Sequence, residues 1–156
     1  MKTANVLDET DLKILRVLQK EPNLTITEIG DRVSLSHTPC WRRIKTMESN
    51  NVIVRKAILL NPDLFNLKVS VFSFIKLKHH HESDLIDFEE SVGHIPEIMQ
   101  CYSMTGEYDY LLRIVTRSVA HYETIVKKRL LHLPSVAFIN SSFALSEIKN
   151  AIDLPI

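Results

Sequence analysis

Apolar residues recur at helical spacing in three stretches near the start of the chain: Leu12, Leu15 and Leu18; Ile26, Ile29 and Val33; and Cys40, Ile44 and Met47. Glu21-Pro22-Asn23 interrupts the pattern after the first stretch, and Thr25 with Glu28 forms a capping box before the second. A turn at residues 34–35 follows, and Ser36 is placed to cap the third stretch. The pattern predicts three short helices in the helix-turn-helix arrangement.

From residue 67 onwards, β-branched and aromatic residues indicate strands that alternate with helices. Strands are predicted for four ranges: 68–78, 97–104, 110–116 and 136–145. Helical spacing marks two further stretches: Leu85, Phe88 and Val92; and Tyr122, Ile125, Val126 and Leu130. The order β-α-β-β-α-β predicts a ferredoxin-like antiparallel sheet with both helices on one face. The predicted fold class is α+β, a winged-helix-like helix-turn-helix domain followed by a ferredoxin-like domain.

These patterns divide the chain into three parts. Residues 1–51 are predicted as the helix-turn-helix domain, residues 52–66 as an extended linker or strand, and residues 67–150 as the ferredoxin-like domain. Within the linker, Arg55 and Lys56 either touch a DNA backbone or are ordinary edge-strand charges, and the sequence favours neither reading.

The third helix has an outward face of unusual composition. At about 100° per residue, its buried stripe leaves an opposite arc that holds Thr38, Trp41, Arg42, Lys45 and Ser49. Arg and Lys reach phosphates or guanine edges, while Trp packs against sugar or a thymine methyl group. With Ser36, these residues are therefore the predicted DNA-binding set, and the alternative is a merely solvated basic face. Arg43 lies nearer the core and is predicted to pair with an acidic residue of the first or second helix.

The charge distribution supports a division into two modules. Nineteen basic and nineteen acidic side chains give the whole chain no formal net charge. Residues 1–60 nevertheless hold ten basic and seven acidic side chains, whereas residues 61–156 hold nine and twelve. A basic first part followed by an acidic remainder makes the first part the candidate for phosphate contact.

Several classes of protein are disfavoured. The chain has only three glycines and no phosphate-binding glycine loop, and Ser141-Ser142 lacks a nucleophile elbow, so an enzyme is not expected. The consecutive side chains of His79, His80 and His81 diverge, which makes a poor metal cage, so neither a metal nor a cofactor is predicted. Two distant cysteines, no long apolar segment and no secretory signal predict a cytoplasmic protein without a membrane partner.

One face of the predicted sheet lacks a covering layer. The first strand has two partly apolar faces, one with Val69, Val71, Ile75 and Leu77 and the other with Phe72 and Phe74. Because both helices cover the same face, the other keeps exposed apolar area, which usually marks an association surface. The sequence therefore predicts a homodimer joined through the ferredoxin-like domain.

Five segments resemble the Lrp/AsnC family of leucine- and asparagine-responsive transcription factors. They are LDETDLKILRVLQ (7–19), LSHTPCWRRIKTMES (35–49), LLNPDLF (59–65), TGEYDYLLR (105–113) and LHLPSVAFINSSFAL (131–145). Together they span nearly the whole chain in the family's order, and the patterns are most similar to the leucine-responsive branch. One departure is Ser34, where the family commonly has Gly. A left-handed conformation of a residue other than glycine would cost on the order of 1 kcal/mol there.

The resemblance implies a sequence-specific DNA-binding regulator whose assembly or DNA affinity responds to leucine or another small amino acid. It also implies homodimers that assemble into higher even oligomers such as octamers. The effector would bind between subunits near a turn and its neighbouring strands, at Met104, Thr105, Gly106, Tyr108, Asp109 and Leu111. In this site Gly106 would permit close backbone approach, and Asp109 would receive the α-ammonium group.

Two alternatives remain at this point. The residues of the turn also suit an ordinary β-hairpin, with Gly for geometry and Asp for a local side-chain bond. The chain as a whole also suits an oligomeric amino-acid-binding protein whose helical domain contacts protein rather than DNA. The salt dependence of DNA binding distinguishes the two functions.

Overall fold

The computed structural model describes residues 7–156, which divide into two compact units. The first runs up to Leu59 and also includes Lys149–Ile156, and the second is Leu60–Ile148. No helix within the described residues is long and apolar enough to cross a membrane.

Within residues 7–59, the first unit contains the three predicted helices: α1 (Glu9–Lys20), α2 (Ile26–Val33) and α3 (His37–Ser49). A capping box begins α1, where the side chain of Asp8 accepts from the backbone N–H of Asp11 and the reverse bond is also made. The predicted box of Thr25 and Glu28 begins α2 and is confirmed. Ser36 occupies the N-cap position of α3, but its side chain makes no capping hydrogen bond, so that part of the prediction is wrong.

The core of the first unit joins the three apolar stripes read from the sequence. Its buried members are Ile14, Leu15, Ile29, Val33, Cys40, Ile44 and Met47. Gly30 allows α2 and the following turn to approach closely, because a Cβ atom there would lie 2.5 Å from the carbonyl oxygen of Leu35. That turn is closed by the N–H of Leu35, which donates to the carbonyl of Gly30 at 2.8 Å. Ser34 takes the left-handed conformation with φ of 58°, as the turn was predicted to require.

The last residues of the chain pack on α1. The amide side chain of Gln19 pairs with the backbone of Leu154 through two hydrogen bonds, of 2.7 and 3.2 Å. Arg16 donates from Nε to the carbonyl of Ile156 at 3.1 Å. These contacts place Lys149–Ile156 in the first unit.

The second unit has the predicted ferredoxin-like order. Its elements are β1 (Val69–Leu77), α4 (Glu82–Gly93), β2 (Ile98–Ser103), β3 (Tyr110–Thr116), α5 (Val119–Ile125), a π-helical turn (Val126–Leu130) and β4 (Val136–Phe143), after a 3₁₀ turn at Pro62–Phe65. The sheet order is β2-β3-β1-β4, and each neighbouring pair is antiparallel. This order confirms the ferredoxin-like domain and the α+β class.

Side chains alternate between the two faces of this sheet. Val71, Ile75, Leu112 and Ile114 point to the helices and are buried in the core with Phe88 of α4. Ser73 is also fully buried, and its hydroxyl pairs with Tyr122 of α5 at 2.8 Å, which satisfies a polar group that burial would otherwise penalise.

The opposite face, which we call the open face, carries half-buried or exposed apolar side chains. They are Phe72 and Phe74 of β1, Tyr102 of β2, Leu111 of β3 and Phe138 of β4. The sequence predicts that two copies of the chain associate through this apolar face.

Candidate functional site

Helix α3 turns its predicted contact residues to solvent. The six residues Ser36, Thr38, Trp41, Arg42, Lys45 and Ser49 are all exposed. Trp41, the only tryptophan of the chain, keeps 47% of its surface exposed although it belongs to a helix with a well-filled buried stripe. The predicted exposure of the face is confirmed, whereas its contact with DNA stays a prediction.

Adjacent arginines on α3 have different surroundings. Arg43 donates to Asp8 at 2.7 Å and to Asp11 at 2.8 Å, so the predicted pairing with an acid of the first or second helix is confirmed, and the acid that belongs to a helix is Asp11 of α1. These hydrogen bonds, with that to Asp11 the strongest, raise the pKa of Arg43. Arg42 has no side-chain hydrogen bond or ion pair within the described residues and is exposed. Arg42 is therefore free to bind a ligand, whereas Arg43 fixes α3 to α1.

Two other members of the set bond within the helix. Lys45 donates to Glu48 at 2.7 Å, and this hydrogen bond lowers the pKa of Glu48. The hydroxyl of Ser49 donates to the carbonyl of Thr46 at 2.9 Å. Both pairs are exposed, and a surface ion pair such as that of Lys45 with Glu48 contributes little to stability.

The predicted effector turn joins β2 and β3. Gly106 has φ of 114°, a conformation that strongly favours glycine, and nothing lies within 4 Å of a Cβ atom built there. Met104 donates its backbone N–H to the carbonyl of Asp109 at 2.8 Å, which closes the turn. Thr105 and Met104 are exposed, and Leu111 is half-buried on the open face.

Asp109 bonds within its own chain. One carboxylate oxygen accepts the backbone N–H of Leu77 at 2.7 Å, and the other meets Lys76 Nζ at 3.1 Å and His80 Nε2 at 2.9 Å. Burial raises the pKa of Asp109, but the bonds from Leu77, His80 and Lys76 outweigh it and leave the pKa below its ordinary value. The carboxylate thus holds the turn against the end of β1 through residues far away in the sequence, not through the local side-chain bond of the hairpin alternative.

Tyr108 places the turn beside the open face. Its ring lies 5.3 Å from that of Phe74 and 6.4 Å from that of Phe138, and its hydroxyl accepts from Asn140 Nδ2 at 3.1 Å. The prediction of effector residues did not include Phe74, Phe138 or Asn140. The sequence showed that these residues alternate with others along predicted strands. It did not show the strand order that brings them to Tyr108.

A separate cavity lies between α4 and the edge strand β2. It has a volume of about 400 Å³ and is lined by Glu89, Gly93, Cys101, Ser103 and Tyr110, among others. The hydroxyl of Tyr110 donates to Glu89 at 2.8 Å, and burial together with this carboxylate raises the pKa of Tyr110. None of the predicted effector residues lines this cavity.

The histidine run does not form a metal cluster. The ring of His80 turns to Asp109, whereas those of His79 and His81 lie 5.9 Å apart. In the part of the chain that the structure describes, no group of three His, Cys, Asp or Glu side chains is arranged to hold a metal ion.

Models of two protein families match the chain over the two units. Residues 7–54 match the winged helix-turn-helix DNA-binding model, and residues 70–154 match the Lrp/AsnC ligand binding domain. A DNA-binding transcriptional activator, DecR of Escherichia coli (strain K12), is 34% identical over 97% of this chain and 99% of its own length.

Solved structures agree with this assignment. An AsnC family transcriptional regulator from Agrobacterium tumefaciens is 40% identical, covers 96% of this chain and 97% of its own, and has a TM-score of 0.91. A transcriptional regulator from Neisseria meningitidis, solved as an L-Met complex, is 38% identical over 96% of both chains with a TM-score of 0.90. The chain belongs to the Lrp/AsnC family and is a DNA-binding transcriptional regulator with an amino-acid-binding domain.

Proposed function

We propose that two copies of α3 read successive major grooves of a DNA site, with Trp41 and Arg42 as the principal contacts. The observation that carries this proposal is the contrast on α3, where Arg43 is held by Asp8 and Asp11 while Arg42 is exposed without a carboxylate partner. Lys45 exchanges Glu48 for a phosphate when DNA binds, and Ser36, Thr38 and Ser49 line the same face. In a symmetric dimer the two helices lie about 34 Å apart, one turn of DNA.

The dimer of this proposal forms through the open face. Phe72, Phe74 and Phe138 leave apolar surface there, and contiguous apolar surface of this kind favours association. Dimerisation would cover these rings and bring the effector turns of both copies to the contact. No catalytic step belongs to this function, and the proposed place of action is the cytoplasm.

The effector in this proposal is a small amino acid bound between subunits beside the turn. The Neisseria relative solved with L-Met supports an amino acid with an apolar side chain. Thr105 and Gly106 would offer backbone N–H groups to its carboxylate, while Met104, Tyr108 and Leu111 would contact its side chain. Asp109 keeps the turn in place. The effector changes DNA affinity only by as much as it prefers one assembly over another.

Salt-dependent DNA binding tests the contacts of α3. The double variant Arg42→Ala, Lys45→Ala should lose specific promoter binding, and where residual binding is measurable its log–log salt slope should be smaller by about 0.9 for each lost phosphate contact. Fluorescence anisotropy with the chain's own promoter fragment measures both quantities. The matched control is Lys13→Ala, Lys20→Ala, which removes two cations from α1 and should leave the slope unchanged. Wild-type affinity in the α3 variant would refute the groove assignment.

A thermal-shift screen of the common amino acids tests the effector site. An effector at 100 times its dissociation constant should stabilise the binding unit by roughly 2.7 kcal/mol. The hit should bind Gly106→Val much more weakly in calorimetry, because this substitution strains a backbone with φ of 114°. Undiminished binding to the variant would move the effector away from this turn.

A further inference from the structure

A cleft of about 820 Å³ lies within the first unit, a volume typical of sites that hold a small molecule. Three parts of that unit line it: α1 with the residues next to it, the extended stretch 52–59, and residues from the last stretch, 152–156. Among the described residues, none of those that line the cleft belongs to α3 or to the effector turn. The cleft is therefore separate from both surfaces proposed above to bind DNA and an amino acid.

The walls of the cleft are largely apolar. Leu12, Leu15 and Leu18 of α1 contribute to them. Val54 and Ile58 of the extended stretch also line the cleft, and they keep 80% and 88% of their surface exposed. A ligand with an apolar body removes such surface from water, and this burial is the main source of affinity in concave sites of this kind. The ligand that fits is therefore largely hydrocarbon.

Hydrogen bonds fix α1 to the last residues of the chain beside the cleft. The side chain of Gln19, which lines the cleft, makes two hydrogen bonds to the backbone of Leu154, and Arg16 Nε donates to the carbonyl of Ile156. A cleft whose walls are already joined loses little conformational entropy when a ligand enters. The site is therefore preformed rather than assembled by its ligand.

Cations outnumber acids at the cleft. Among the described residues, the charged side chains that line it are Lys20, Arg55 and Lys56 against the single acid Asp153. The side chains of Lys20 and Arg55 have no hydrogen bond or ion pair within residues 7–156. An anionic head group can bind them without displacing a partner, whereas an ammonium group meets net repulsion. An amino acid, which carries such a group, therefore fits this cleft less well than a simple acid.

We propose that the cleft binds an apolar carboxylic acid, with a medium-chain fatty acid as the simplest example. Lys20 and Arg55 donate to its carboxylate, and its chain lies against the leucines of α1 and against Ile58. The acid contacts α1, the extended stretch and the last residues at once, so it stabilises the first unit when it binds. The protein thereby has a second small-molecule site, in the DNA-binding unit rather than in the amino-acid-binding domain.

Calorimetry of the full-length protein with hexanoate, octanoate and decanoate, each below its micelle concentration, tests the proposal. Affinity should rise about fourfold with each methylene added, because each one buries further apolar surface. The neutral probe 1-decanol has the same chain as decanoate and no charge. It should bind wild type about tenfold more weakly than decanoate, because it lacks the contacts with the two cations.

The variant Lys20→Gln, Arg55→Gln removes the two unpaired cations. It should bind decanoate about tenfold more weakly than wild type does and should bind 1-decanol as wild type does. The matched control is Lys13→Gln, Lys68→Gln, which removes two exposed cations that do not line the cleft and should bind both probes like wild type.

A second pair of variants replaces an exposed apolar side chain with a carboxylate. Ile58→Asp acts in the cleft and should weaken decanoate binding at least tenfold, because the new charge repels the head group and interrupts the apolar wall. Leu64→Asp is the matched control, because Leu64 is 79% exposed but does not line the cleft. Since both positions are exposed, both variants should melt like wild type in the absence of ligand.

The proposal is overturned if decanoate does not bind wild type, which is the result expected where a second copy of the chain covers the cleft. It is also overturned if 1-decanol binds as tightly as decanoate, or if either cleft variant binds decanoate like wild type. Failure of the effector site gives a different result. Gly106→Val should bind decanoate like wild type, and a loss of decanoate binding in that variant would place the acid at the effector turn instead.

Discussion

Helix α3 and the turn between β2 and β3, the two surfaces proposed to bind DNA and the amino acid, are built in different ways. Residues within 14 positions of one another supply the contact face of α3, and its exposure follows from the period of a single helix. The turn depends on distant partners: Asp109 is held by Lys76 and Leu77 on β1, and Tyr108 lies against Phe74 and Phe138. A local pattern therefore identifies the first surface, whereas the second exists only in the assembled sheet.

The two surfaces also use their charged residues differently. On α3, Arg43 is bonded to Asp8 and Asp11, and its neighbour Arg42 has no such partner. The charge that positions the helix is therefore on a different residue from the charge proposed to contact DNA. At the turn, a single carboxylate, that of Asp109, makes the charge-assisted contacts with the end of β1. We therefore expect stability and ligand binding to separate cleanly at α3 and to change together at the turn.

The largest expected effect concerns the placement of α3. In Gly30→Ala the new Cβ atom would lie 2.5 Å from a backbone oxygen, so the turn before α3 must shift, at a cost of roughly 1–3 kcal/mol. Chemical denaturation followed by the fluorescence of Trp41 measures this loss in the first unit.

The control is Gly93→Ala in α4, where nothing lies within 4 Å of the new atom. Alanine favours a helix over glycine by at most about 1 kcal/mol, so this variant should be no less stable than wild type. Equal losses in both variants would show that the close approach at Gly30 is not what positions α3.

A smaller effect separates the two arginines. Arg43→Ala removes the contacts with Asp8 and Asp11 and should lower the free energy of unfolding by on the order of 1 kcal/mol. Arg42→Ala should leave stability within about 0.5 kcal/mol of wild type but weaken DNA binding by about tenfold or more. Denaturation and anisotropy on the same two proteins measure both properties. Similar profiles for the two variants would contradict the division of roles.

The smallest effect is the pH dependence of the turn. Because the folded state lowers the pKa of Asp109 below 3.8, its charge contributes stability above that pH, and the contribution is lost as the pH falls through the folded-state value. Asp109→Asn should therefore be less stable than wild type at neutral pH, and the difference should shrink in acid. Thermal melts between about pH 3 and 7 test this.

Asp87→Asn, at an exposed position without a side-chain partner, is the matched control and should show little pH-dependent difference. A constant difference between Asp109→Asn and wild type across the same range would mean that the charge of Asp109 does not hold the turn.

Much of the fold followed from local patterns. The spacing of apolar residues placed α1, α2 and α3, and alternation placed the four strands, because each element must turn one face to a core. The pairing of Arg43 with an acid of α1 was also predictable, since its position at the edge of the buried stripe points it at a neighbouring helix. The missing capping hydrogen bond at Ser36 was not predictable, because the residue type favours a capping position but does not fix the rotamer of the serine side chain.

The sequence by itself determined the α+β class, the helix-turn-helix and which side of α3 meets solvent, all of which follow from periodicity within single elements. Only the tertiary structure decided that Asp109 is bound to β1 and that Tyr108 joins Phe74 and Phe138. These contacts join residues 29 to 34 positions apart or lie on separate elements. Sheet order and register bring them together, and neither is encoded in any one segment of the chain.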